Sequence, residues 1–66
     1  DIKINIEYGD RYSQALTYYA LGTLATAQKD YTAARDNWQK ALEIYVEYKD
    51  EYRANITREI LEKLPE

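Results

Sequence analysis

The chain has 66 residues, 32% of them charged, a net charge of −3, and neither Cys nor His. Without thiol or imidazole, zinc, haem and iron–sulfur ligation, thiol catalysis and His-based proton transfer are excluded, and the interspersed charges form no basic stripe for a phosphate backbone, so no nucleic-acid partner is expected. A domain this small buries only about 60% of its unfolded surface, so regular packing or self-association must supply what disulfides and metals do not.

In chain order, Ile2-Lys3-Ile4-Asn5-Ile6-Glu7-Tyr8 alternates apolar and polar residues, a pattern that alone argues a half-buried strand. Similar residues recur at 42–48, at the end of a strong helical stripe. A short helix ending at Gly9 is therefore preferred, glycine being suited to a left-handed C-cap. From Arg11 to Gln28, residues Tyr12, Ala15, Leu16, Tyr18, Tyr19, Leu21, Leu24 and Ala25 recur at three- and four-residue spacing behind Asp10, a good N-cap. This predicts a first long helix.

Lys29-Asp30 interrupts that pattern, and Asp30 can cap a second helix with Ala34, Trp38, Ala41, Leu42, Tyr45 and Val46 on one stripe. Two amphipathic helices joined by so short a break become antiparallel neighbours. A third helix is predicted from Asp50 or Glu51 to Leu64, with Tyr52, Ile56, Ile60 and Leu64 in line, Leu61 beside them, and Pro65 as its stop. Asp36–Lys40 and Glu59–Lys63 have the spacing of exposed ion pairs worth about 0.2–0.5 kcal/mol each. At Tyr48-Lys49-Asp50 no Gly or Pro forces a turn. A fused second and third helix, completed by domain swapping, stays open there.

Aligned with itself at a forty-residue offset, the chain pairs Ile4/Ile44, Glu7/Glu47, Tyr8/Tyr48, Asp10/Asp50, Tyr12/Tyr52, Thr17/Thr57, Leu21/Leu61 and Leu24/Leu64 as identities. Such an internal repeat is the mark of a solenoid. The expected organisation is the end of a preceding helix at 1–9, one full helix-turn-helix unit at 10–49 and a capping helix at 50–66. The chain thus starts and stops partway through a unit.

Within the full unit, Tyr18-x-x-Leu21-Gly22 … Ala34-x-x-x-Trp38-x-x-Ala41 resembles the tetratricopeptide repeat. The forty-residue period and the Val46 standing where the family commonly has Pro are similar to its longer-helix branch, common in bacterial multi-repeat proteins. The resemblance implies an all-α fold, an antiparallel helical hairpin with flanking helices cut from an α-solenoid. It places Gly22 and Ala34 at the closest helix crossing, lets Ala41 admit the next helix, and puts Tyr18 and Trp38 in the larger gaps with Leu21 at the centre. Ala25 departs from the family, which commonly has an aromatic there. Glu62, at the place of Gly22, would sit badly under a further helix and marks the third helix as a cap with a polar outer face.

In this family partners lie in a concave groove. By position the resemblance assigns it to Leu16, Tyr19, Thr23 and Thr26, continued by Ile56, Glu59 and Lys63. The carboxylate-clamping branch uses Lys and Asn here; Tyr19 and Thr23 are neither, so no such clamp is expected. The plainer alternative is that Leu16, Tyr19 and Ile56 pack on each other or on a second copy.

Glu43/Glu47, Asp50/Glu51 and Glu59/Glu62 are paired carboxylates of the kind glycosidases use, but each lies among polar residues with no convergent pocket. No enzyme activity and no cofactor are expected. Asn55-Ile56-Thr57 matches a glycosylation acceptor inside a predicted helix and is read as accidental. No apolar run reaches the roughly 20 residues of a membrane span, and Asp1-Ile2-Lys3-Ile4 has no signal-peptide pattern. A cytoplasmic protein-interaction scaffold for an unidentified protein or peptide is expected. The alternative is a structural module that homo-oligomerises, with domain swapping as one route.

Overall fold

A computed structural model describes residues 2–65, with side chains from residue 10 onward. The described residues form three helices and no strand: α1 (Ile2–Ala27), α2 (Tyr31–Glu47) and α3 (Glu51–Glu62). α2 runs antiparallel to both neighbours and is shared by them. One buried cluster joins Ala15 of α1 to Ala41, Ile44 and Tyr45 of α2 and Ala54 of α3. The other joins Ala25 to Ala34 and Trp38, with Ile60, Leu61 and Leu64 packed against it.

The α1–α2 approach is set by small residues. Ala15, Ala34 and Ala41 are fully buried, and Gly22 lies under the indole of Trp38 so closely that a Cβ there would stand 2.4 Å from Cδ1 and Nε1. The indole N–H donates to the Tyr19 carbonyl of α1 at 3.0 Å, which answers the one polar atom that a buried Trp brings with it. Gly22, Ala34 and Trp38 thus lie at the α1–α2 contact, and Ala41 shares a buried cluster with Ala54 of α3.

Both turns share one design. Lys29 and Lys49 have φ of 64° and 59°, the left-handed conformation that ends many helices. The Asp30 N–H donates to the Ala25 carbonyl and the Lys29 N–H to Thr26; the Asp50 N–H donates to Tyr45 and the Lys49 N–H to Val46. These are paired Schellman closures. Each Asp then caps the next helix: the Asp30 side chain accepts from the Ala33 N–H and Asp50 from the Arg53 N–H. The chain therefore turns at Lys49 without Gly or Pro, and α2 and α3 are separate helices.

Several expectations are corrected. α1 is continuous through Gly9 and Asp10, so no helix ends at Gly9 and Asp10 is not an N-cap. A helical Gly costs only about 1 kcal/mol relative to Ala, whereas the turn at Lys49 is held by α2–α3 packing. The side chains of Ile2, Ile4 and Ile6 lie outside the described residues. Leu21 is not central but 42% exposed, and Val46 and Tyr52 are 47% and 74% exposed. α3 buries Ala54 and Thr57 most deeply; of the expected line, Ile60 and Leu64 pack with Leu61 against the Trp38 cluster and Ile56 is half-buried, while Tyr52 is not part of the core. Small side chains at 54 and 57 let α3 come close to α2, and this rotates Tyr52 outward. α3 ends at Glu62, two residues before the expected Leu64, with Lys63 as C-cap. Tyr18 is a half-buried rim residue with the Lys40 ammonium 5.5 Å from its ring centroid. Asp36–Lys40 forms at 3.3 Å; Glu59–Lys63 is not among the ion pairs of the described residues.

Two stability outcomes follow from these contacts. Lys29→Gly and Lys49→Gly should each raise stability by about 0.5–1 kcal/mol, because the roughly 1–2 kcal/mol of left-handed strain relieved exceeds the roughly 0.4–1 kcal/mol lost to a freer unfolded chain. Thermal melts by circular dichroism check this, and the two effects should add. Gly22→Ala should destabilise by about 1–3 kcal/mol through overpacking against Trp38, despite its better helix propensity. A Gly22→Ala variant that melts at or above the parent temperature would contradict the close approach.

Candidate functional site: the groove between helices 1 and 3

α1 and α3 flank α2, and the space between them above Tyr45 is a cavity of about 200 Å³ lined by Leu16, Tyr19, Ala20, Tyr45, Arg53 and Ile56. Tyr45 is its floor and is 1% exposed. Burial pushes its phenol pKa up, with Arg53 working in the opposite direction. Leu16 is 45% exposed, and Tyr19 and Ile56 are half-buried. The walls are apolar, and Arg53 is the charged group at the rim. Known small-molecule pockets run to about 300–1,000 Å³; this one has room for a single side chain.

Towards the other end of α2 a second hollow of about 290 Å³ is lined by Thr26, Tyr31, Trp38, Ile60, Lys63, Leu64 and Pro65. The groove assigned from sequence is thereby brought together in two parts: Leu16, Tyr19 and Ile56 at one hollow, Thr26 and Lys63 at the other. Thr23 and Glu59 are exposed and line neither. The hydroxyls of Thr23 and Thr26 donate to their own helix, to the carbonyls of Tyr19 and Gly22 at 3.1 and 3.0 Å. They offer a partner acceptor lone pairs rather than free donors.

Sequence reasoning missed Arg53 and the floor role of Tyr45. Arg53 lies three residues before Ile56, on the face of α3 that looks across to α1, and this spacing could have identified it. Its position is fixed by Asp50, whose Oδ2 is 3.4 Å from Nε. The same carboxylate accepts from the Tyr12 hydroxyl, so Asp50 ties α1 to the α2–α3 turn while capping α3. Tyr12 also packs edge-on against Tyr45 at 5.8 Å and tilted against Tyr48 at 5.8 Å. Arg11–Glu47 at 3.0 Å closes the outer edge of the same junction.

Asp50 and Glu51 line a hollow of about 460 Å³ behind the turn, together with Lys49 and Arg58. Among the described residues no cluster of His, Cys, Asp and Glu could hold a metal ion, and no helix is long and apolar enough to cross a membrane. The chain matches no family model, no curated protein and no solved structure.

The Tyr12–Asp50 bond makes stability depend on pH at both ends. Donation from Tyr12, and then from the Arg53 N–H, holds the Asp50 carboxyl below its usual pKa. A carboxyl lowered on folding stabilises above its unfolded value of about 3.9 and loses that contribution as pH falls through the folded value. The Tyr12 phenol is held above its usual value by donating to Asp50 and by desolvation; its contribution is present below the unfolded value of about 10 and lost as pH rises through the folded one. Tyr12→Phe should therefore lower the melting temperature near neutrality, and the gap from the parent should close in strong acid and strong alkali. A gap that stays constant across the titration would remove this role from the bond.

Proposed function

We propose that the protein is an interaction module, a tetratricopeptide-like fragment of an α-solenoid, that binds a protein or peptide segment in the groove between α1 and α3. One observation carries the reading: the apolar side chains of Leu16, Tyr19 and Ile56 stand around an open cavity over Tyr45 instead of closing on each other. Supporting it, Gly22, Ala34, Trp38 and Ala41 make the helix–helix contacts that the resemblance asks of them. The hollow takes one apolar side chain, and Arg53 at the rim favours an acidic neighbour in the ligand. The reading places the module in the cytosol, where a cysteine-free chain needs no disulfide.

A second reading, a module that assembles through its own helices, is favoured by the exposure of Leu21 and Leu24 on α1, at 42% and 55%. These residues lie away from the groove, so the two readings concern different surfaces.

The groove is tested by selecting peptides from a displayed random library against the intact protein. Selected peptides should carry an apolar residue next to an acidic one. Their binding should perturb the amide resonances around Leu16, Tyr19 and Ile56, and weaken at least tenfold, about 1.4 kcal/mol, on Ile56→Glu, a change at a half-buried site that leaves the helical circular dichroism intact. Binders that map to the α1 outer face, or that ignore Ile56→Glu, would overturn the assignment.

A further inference from the structure

The two oxygens of Asp50 face three donors. Oδ1 accepts from the Arg53 backbone N–H at 3.1 Å, which caps α3. Oδ2 accepts from the Tyr12 hydroxyl of α1 and also faces Arg53 Nε, at 3.4 Å. These last two donors meet one oxygen on unequal terms. The phenol makes the close bond, while the guanidinium stands beyond the roughly 2.7–3.2 Å of a well-made N–H···O bond. Tyr12 is aimed by its ring, which packs edge-on against Tyr45 and tilted against Tyr48, both at 5.8 Å. The hydroxyl is therefore delivered to Asp50 by packing at the helix junction, not by a loose surface rotamer.

The consequence falls on Arg53. Its side chain is 50% exposed, lines the hollow over Tyr45 with Leu16, Tyr19 and Ile56, and makes no hydrogen bond among the described residues. An arginine beside a carboxylate frequently closes on it as a two-pronged pair of parallel bonds. Here Tyr12 holds one oxygen and the cap of α3 holds the other. Charge keeps Arg53 near Asp50, but its N–H fork stays unengaged. Such a fork at the rim of an apolar hollow matches the geometry of a ligand carboxylate.

We infer that Tyr12, which lines no part of the hollow, sets the groove's preference for an acidic ligand: its hydroxyl occupies the Asp50 oxygen on which Arg53 would otherwise close. The ligand, an apolar side chain beside a carboxylate, rests on the groove reading above; the residue that keeps the cation available for it is the new assignment. Tyr12 is a positioning residue that acts on Arg53 through Asp50. Without the hydroxyl, Asp50 and Arg53 form a closed pair and the rim offers a ligand little charge. Without the Asp50 charge there is nothing for Arg53 to close on, and the hydroxyl no longer matters.

The probes are two blocked dipeptides, acetyl-Leu-Asp-amide and acetyl-Leu-Asn-amide, titrated into the intact protein and followed by the amide resonances of Leu16, Tyr19 and Ile56. The parent should bind the Asp peptide about two- to fivefold more tightly, the size of a half-exposed ion pair. Tyr12→Phe, which keeps the ring, should bring that ratio to about one, and adding Asp50→Asn should restore the preference, because Asn still caps a helix but carries no charge. A Tyr12 that only stabilised the fold would weaken both peptides together and leave their ratio alone. The Arg53 Nε–H resonance gives a readout without ligand. Its exchange with water should slow in Tyr12→Phe as the pair closes, and return at least to the parent rate in the double variant. Equal binding of the two peptides by the parent, an unchanged ratio in Tyr12→Phe, a lost preference that Asp50→Asn does not bring back, or the same Arg53 exchange rate in parent and Tyr12→Phe would each overturn the inference. If neither peptide moves the groove resonances of the parent, the groove reading fails, and the Arg53 exchange rates by themselves decide whether Tyr12 holds the pair apart.

Discussion

The packing of Trp38 against Gly22 sets the spacing of this small protein. Because no side chain separates the indole from the α1 backbone, the helices approach closely enough for the indole N–H to reach the Tyr19 carbonyl. Ala15 and Ala25 then meet α2 on either side of that contact. The rest of the architecture is fixed from there. Tyr45, two turns further along α2, is carried beneath the gap between α1 and α3 and becomes the groove floor. With few residues to bury, close approach of backbones replaces bulk as the source of contact area.

Much of this was legible in the sequence, for identifiable reasons. The α2 stripe is readable because charges surround it and leave one face to bury. On α1 that contrast is missing: with no charge between Tyr12 and Ala27, spacing alone does not tell the face that meets α2 from the one left bare, and nothing in the pattern counters the central place that the resemblance gives Leu21. The break at Lys29-Asp30 is legible, but the turn at Tyr48-Lys49-Asp50 stays open for another reason. A left-handed Lys is intrinsically unfavourable, yet at both Lys29 and Lys49 the following Asp closes one helix through its N–H and caps the next through its carboxylate. Two satisfied ends outweigh one strained residue, a balance invisible to residue-by-residue propensity. Tyr52 misled because a large apolar side chain in register looks like core, whereas the close α2–α3 approach selected Ala54 and Thr57.

The groove residues divide along the same line. Leu16, Tyr19 and Ile56 were placed by the resemblance and converge on one cavity. Arg53 and Tyr45 came only with the structure, since their roles depend on Asp50 holding one over the rim and on α2 carrying the other beneath it. Asp50 serves as turn closure, helix cap, acceptor for Tyr12 and anchor for Arg53. The rim charge of the groove is thus built on the residue that ends one helix and begins the next.

The lone tryptophan has an optical consequence. Trp38 touches α1 through Gly22 and Tyr19, whose ring centroid is 6.1 Å away, and it shares its cluster with the far end of α3. Its emission therefore senses the departure of either neighbour, and nearby phenols can pass excitation to it. A red shift of that single fluorophore cannot separate hairpin opening from α3 release, and a second label on α3 is needed to watch the two events apart.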